Sequence, residues 1–339
     1  MKLLLRLGLA LNTTLISLHA WDYEGHRMVN QLALASLPTN YPAFVRTPAA
    51  AERVGFLAGE ADRWRNSTNL SAKHASAPDH FLDIDDLPRH GLSPKTVSPF
   101  RYDFVAQLKM AREKNPEKFP AIDPTRNSDH TRELVGFLPW TINDYYAKLE
   151  SAFSYLKTFE LYGGTTEEIA NAQQNVIYIM GVMGHFAGDA AQPLHTTKHF
   201  NGWIGDNPQR FTTNRTFHSW IDGGFVRRAE IRADELRPRV RTARLIWREG
   251  VADSDVFDES MQFVVEQFAL VERLYELDRE GQLAPAQGDA TEGRLFIARQ
   301  LLKGAQFLGD LWYSAWKNAP TDKYLRGELA RRTPTGDVP

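Results

Sequence analysis

The stretch 165–195, TTEEIANAQQNVIYIMGVMGHFAGDAAQPLH, decides how this chain is read. Ile169, Ala172, Val176, Ile179 and Met180 recur at helical spacing, which predicts an α-helix over 166–188. Thr165 or Thr166 supplies a capping hydroxyl, and Glu167 and Glu168 place negative charge in the first turn, where the helix dipole favours it. At the other end His185 and Asp189 stand four apart, hence one turn apart on one face. Pro193 then forces the chain out of the helix and can swing His195 back towards that pair.

Imidazole nitrogen and carboxylate oxygen are common zinc ligands where one position stays open. The same pairing recurs in HSWID, at His218 and Asp222. One pair alone would equally suit a helix end closed by a His–Asp hydrogen bond. Two pairs, with His195 between them, point to more than one metal ion. His74, His90, His130 and His199 lack such a context and are read as structural. Cysteine is absent, so thiolate ligation is excluded and any metal must be held by His, Asp, Glu or backbone groups.

Working outward, Ile142, Tyr145, Leu149, Phe153 and Leu156 mark a second helix, and Phe263, Val264, Phe268, Val271 and Leu274 a third. Leu295 to Trp316 reads as a buried C-terminal helix. Strand signals are sparse. The expectation is a mainly α fold in a single compact domain over 21–318, with a polar tail at 319–339 that frays. Residues 84–140 are expected to be irregular loops broken by a short helix at 101–114, and 196–217 a loop. With 339 residues, 42% of them hydrophobic, there is ample material for a core. A net charge of -2 offers no basic face for tight duplex binding, which leaves transient contact with nucleic acid open.

Residues 1–20, MKLLLRLGLALNTTLISLHA, read as a secretory signal peptide, with Lys2 and Arg6 ahead of a leucine-rich core and Ala20 at the cleavage point. Asn12, Thr13, Thr14 and Ser17 interrupt it too often for a membrane anchor. The mature chain is then expected to begin at Trp21 and to be secreted or periplasmic. Trp21 and His26 would follow the removed leader directly and could add ligands of an unusual kind.

Trp21-x4-His26, Ala61-Asp62-x2-Arg65, His80-Phe81-x-Asp83, HFAGDAAQPLH and HSWID occur in an order that resembles the single-strand-specific zinc nucleases of fungi and plants (nucleases S-one and P-one). A more distant likeness is to zinc-dependent phospholipase C. The resemblance spans residues 21 to about 222 and implies the helical fold shared by these enzymes, with three zinc ions. Asp62, His80, His185 and one oxygen of Asp189 would hold the first; His195, His218 and Asp222 the second. The third would take the freed amino group and carbonyl of Trp21, His26 and the other oxygen of Asp189. It further implies that Arg65 stabilises the phosphoryl group in catalysis alongside Asp62, and that Phe81 and Asp83 bind a base.

The chain departs from the fungal pattern at His199-Phe200-Asn201-Gly202-Trp203-Ile204-Gly205-Asp206-Asn207, where those proteins carry Gly-Gly-Asn. Trp220 also follows His218 by two residues instead of three, and the family's disulfides are missing. These changes bear on substrate choice. The expected function is a secreted zinc phosphodiesterase, an endonuclease preferring single-stranded DNA or RNA and leaving 5′-phosphorylated products, with possible 3′-nucleotidase activity; a monomer is the favoured state. The alternatives are a phospholipase C and a non-catalytic exported zinc-binding protein. The short Trp21–His26 gap, and Asp222 where a phospholipase would have Glu, favour the nuclease.

Overall fold

Thr165 does cap the helix that the sequence places at 166–188. Its hydroxyl accepts from Glu168 N (3.2 Å) while Glu168 reaches back to Thr165 N (2.9 Å), a reciprocal capping box. The computed structural model describes residues 21–246, 256–286 and 288–332. The expected leader, 1–20, and the end of the tail, 333–339, lie outside the described residues.

Seven helices lead up to the site: α1 (Tyr23–Ser36), α2 (Pro48–Leu57), α3 (Glu60–Arg65), α4 (Leu70–Ser76), α5 (Arg101–Lys114), α6 (Leu138–Tyr162) and α7 (Thr166–Ala190). Short α8 (Phe217–Ser219), α9 (Val226–Arg228) and α10 (Ala233–Leu236) follow. Then come α11 (Val256–Phe268), α12 (Val271–Arg279), α13 (Thr291–Asn318) and α14 (Lys323–Ala330). Among the described residues the only β pairing is an isolated bridge between Leu82 and Gly136. The fold is mainly α and forms one compact domain. No described helix is long and apolar enough to cross a membrane.

Helix α7 sits at the centre, packed against α6, α13, α2 and α1. Every residue from Met180 to Ala190 is buried. A helix buried all round belongs to the core, so the polar His185 and Asp189 on it must find partners there. Leu32, Val176, Met183, Leu308 and Trp312 fill the surrounding space at 0% exposure. Each such aliphatic side chain stabilises the fold by roughly 1.5–3 kcal/mol. Close approach depends on small residues. A Cβ at Gly184 would land on Asn30 Oδ1, whose buried amide donates to Val54 O (2.8 Å) and Gly181 O (2.9 Å) and so ties α1, α2 and α7 together. The turn from α6 to α7 uses Gly163 in the left-handed region (φ 87).

Two expectations are corrected. The periodic run 263–274 is two helices, α11 and α12, because its halves pack on different partners. Phe257 of α11 meets Trp140 of α6, whereas Tyr275 of α12 packs against Trp203, Phe211 and Phe217. The tail is also more ordered than its polarity suggests. Asp322 caps α14 by accepting from Leu325 N (2.6 Å), and Leu325 and Leu329, one turn apart, are buried. Residues 84–137 and 196–216 are loops and short 3-10 turns, close to the expected 84–140 and 196–217, with α5 in the first at 101–114; α6 already begins at Leu138 and α8 at Phe217.

Candidate metal centre

The side chains meet because five other parts of the chain converge on the last two turns of α7. His185 and Asp189 project from it towards one another and the incoming side chains. His26 comes from α1, Asp62 from α3, His80 from the 3-10 turn Ala77–His80, and His195 from the turn Pro193–Thr196 that Pro193 imposes. His218 stands on α8, and Asp222 on a π-helical run, Trp220–Phe225. Such π-turns are concentrated at functional sites.

Three groups have ligand atoms within 4.8 Å of one another: Asp62, His80 and His185; His195, His218 and Asp222; and His26, His185 and Asp189. In the first, His80 Nδ1 lies 3.0 Å from His185 Nε2, which is 3.8 Å from Asp62 Oδ1. Asp189 Oδ2 joins this group, 2.9 Å from His80 Nδ1 and 3.3 Å from His185 Nε2. In the second, the Nε2 atoms of His195 and His218 are 3.0 Å apart, and His218 Nε2 is 2.8 Å from Asp222 Oδ2. In the third, Asp189 Oδ1 is 3.4 Å from His26 Nε2. Asp189 thus turns one oxygen to each of two groups. His185, expected in the first group alone, borders the third as well, its ring stacked on His26 at 3.9 Å.

Outer contacts fix which nitrogen faces inward. Nδ1–H of His185 donates to Ala58 O (2.7 Å) and Nδ1–H of His195 to His80 O (2.6 Å), leaving each Nε2 lone pair free to face its group. The Gln192 amide donates to Asp222 Oδ1 (2.6 Å), and its own oxygen accepts from Leu194 N (3.0 Å), so Asp222 Oδ2 is directed at His218. Trp21 is fully buried, and its indole donates to Gly188 O (2.8 Å) beside Asp189.

Burial pushes the His26 pKa down, that of His80 down to about 3 with help from Arg65, and that of His195 down to about 4 against the pull of Asp189. These imidazoles are therefore neutral near pH 7, with lone pairs that could hold a metal. Burial opposes charge on Asp189, Asp62 and His185 too, but opposite charges outweigh it: His195 and His185 hold Asp189 well below the usual carboxylate range, His185 and Arg65 lower Asp62, and Asp189 and Asp62 raise His185. Both nitrogens of His26, Nε2 of His80, Oδ1 of Asp189 and Oδ2 of Asp222 are buried without a hydrogen-bond partner among the described residues. Each such orphan costs about 1–3 kcal/mol. Imidazole nitrogens and carboxylate oxygens converging at 2.8–3.4 Å suit bound cations. The donor set, nitrogen and oxygen without sulfur, fits a site for more than one metal ion.

A cavity of about 440 Å³ opens beside these groups. His195 and His218 reach it, with Arg65, Lys73 and Arg132 as cations and Phe81, Leu134, Leu194 and Phe200 as apolar wall. Arg65 also meets Asp62, Nη2 to Oδ1 at 2.9 Å. Phe81 and Asp83 line the cavity together, in a segment held by Leu82 N to His195 O (2.9 Å) and Asp83 N to Val135 O (2.7 Å). Burial, with Asp85 and Asp86 nearby, pushes the Asp83 carboxyl well above the usual range. His74, His90, His130 and His199 join none of the metal-competent groups among the described residues.

All the side chains expected as metal ligands are thus brought together, with Trp21 against them, and Arg65, Phe81 and Asp83 share the adjoining cavity. Sequence reading passed over Gln192, Gly188, Lys73 and Arg132. For Gln192 a signal existed, since it lies between two ligands on a segment that Pro193 holds in place; the others had none. No protein-family model matches this chain, and a comparison with curated proteins finds no significant match.

Proposed function

We propose that this chain is an exported, zinc-dependent phosphodiesterase that cleaves single-stranded nucleic acid to 5′-phosphorylated products. The observation that carries the reading is Asp189, one buried carboxylate shared by two groups of buried imidazoles, with a third group beside it. Asp62, His80, His185 and Asp189 would hold one zinc, His195, His218 and Asp222 a second, and His26 with Asp189 and the backbone of Trp21 a third. Bound zinc supplies Lewis acidity towards a phosphoryl oxygen and makes water acidic enough to attack near neutral pH.

The chain's own groups supply the rest. Arg65, oriented by Asp62, offers paired donors to a phosphate entering from the cavity. Phe81 offers a ring on which an unpaired base can stack, worth roughly 1–3 kcal/mol and tolerant of base identity. Asp83, whose carboxyl burial and the neighbouring Asp85 and Asp86 push well above the usual range, offers a hydrogen-bonding group to a base edge. A base paired within a duplex is not free to enter such a pocket, which accounts for single-strand preference. Burial of the imidazoles keeps their lone pairs available at neutral pH. A leader still attached to Trp21 would acylate the amine assigned to the third zinc, so removal of residues 1–20 belongs to the same reading.

The test is turnover by mature protein beginning at Trp21 on single-stranded DNA, RNA, duplex DNA and phosphatidylcholine, with and without chelator. Chelator-sensitive cleavage of single strands is the expected result. Turnover of lipid alone would make it a phospholipase C, and metal content without any turnover a binding protein.

A further inference from the structure

The cavity beside the metal-competent groups, at about 440 Å³, is near the small end of ligand pockets, which run from roughly 300 to 1,000 Å³. A strand with one unit seated there leaves its neighbouring phosphates at the mouth. Three cations line this space, and two are already engaged. Arg65 meets Asp62 at 2.9 Å, and Lys73 Nζ lies 3.5 Å from Asp129 Oδ2. Arg132 is exposed and pairs with no carboxylate among the described residues; its Nε donates to Arg126 O (3.2 Å). The Nη groups of its guanidinium have no hydrogen-bond partner among the described residues and can serve a two-pronged anion.

The segment that presents Arg132 is preformed. Arg132 N donates to Asn127 Oδ1 (3.1 Å), and Thr131 Oγ1 to Asp129 Oδ1 (3.0 Å). Asp129 fastens this wall to α4 twice, through Lys73 and through its carbonyl, 2.7 Å from His74 Nδ1. Little freedom is left to lose when an anion arrives, which favours binding.

We infer that Arg132 binds a second phosphate of a nucleic-acid strand, next to the one being cleaved, so that this wall makes the enzyme prefer oligonucleotides to single-phosphate substrates. This rests on the phosphodiesterase reading. The test compares wild type, Arg132→Ala and Arg132→Lys on thymidylyl-thymidine, which has one phosphate, and on an octathymidylate. Binding of a dye-labelled, phosphorothioate-linked octathymidylate is followed by anisotropy across salt concentrations.

Arg132→Ala is expected to lose about tenfold in kcat/KM and in affinity on the octamer and nothing on the dinucleotide. The slope of log affinity against log salt should shrink by about 0.7, the value for one contact to a single strand. Arg132→Lys should keep the slope and recover part of the affinity. Equal losses on both substrates, or an unchanged octamer slope, would overturn the assignment. Failure of the wild type to cleave either substrate would sink the phosphodiesterase reading instead, and an Arg132-dependent slope would then still support strand binding.

Discussion

Replacing Gly188 by Ala tests the metal centre without altering any ligand. A Cβ there would sit 2.7 Å from His26 Nδ1 and 3.2 Å from its Cε1. Ordinary contact begins at 3.4 Å, so the ring must retreat by about 0.7 Å, against a tolerance of about 0.2 Å for metal–ligand distances. It has nowhere to go, since His26 is fully buried and stacked on His185 at 3.9 Å. The overpacking itself costs about 1–3 kcal/mol. Gly304→Ala is the matched control: its Cβ would come within 2.9 Å of the Ala191 Cβ, crowding α13 against the end of α7 while meeting no metal-competent side chain. Metal per chain would be measured by mass spectrometry after dialysis at fixed free zinc, beside melting curves. Both variants should melt earlier, and Gly188→Ala alone should lose about one equivalent of metal. Full retention of metal and of its affinity in Gly188→Ala would refute the placement of an ion between His26 and Asp189.

Three further outcomes are expected. Asp189→Asn keeps the volume but removes the shared charge, so two equivalents of metal should be lost while the His195–His218–Asp222 group stays loaded; unchanged stoichiometry would count against the sharing. Gln192→Leu leaves Asp222 Oδ1 and Leu194 N without their partner, and chelator competition should show affinity at that group falling about 10–100-fold. Hydrogen bonds from Arg332 and from Thr165 N hold Glu168 down at about 2, below its ordinary 4.5. A depressed carboxyl adds stability that is fully present above its unfolded pKa and is lost as pH falls through the folded one. The urea midpoint of Glu168→Gln should therefore trail wild type at pH 7 and converge with it between about pH 4.5 and 2; a gap that persists undiminished at pH 2 would argue against this pair.

Much of the centre was legible because its ligands sit at helical spacings. His185 and Asp189 are one turn apart by covalent geometry alone, and Pro193 dictates that His195 leaves the axis. The π-turn at Trp220–Phe225 was not legible, since an extra residue in a turn leaves no periodic mark over so short a run. Nor was the break between α11 and α12, because tertiary partners of Tyr275 and Phe257, and no local breaker, decide it. The order of α14 had a readable sign in Asp322 followed by Leu325 and Leu329, which the polarity of its neighbours masked. The wall at Asn127–Leu134 is set by long-range bonds to His74 and Lys73, which only the folded chain reveals.

Residues as distant as His26, His80, Asp189 and Asp222 are gathered at one point in a chain without cysteine. Ions seated among them would act as cross-links closing very long loops, where the entropy of closure grows only slowly with separation. Cohesion of the N-terminal helix with the rest of the body would then follow the supply of metal and be indifferent to oxidants or thiols. A competitor that sequesters ions could loosen this protein where a reducing agent could not.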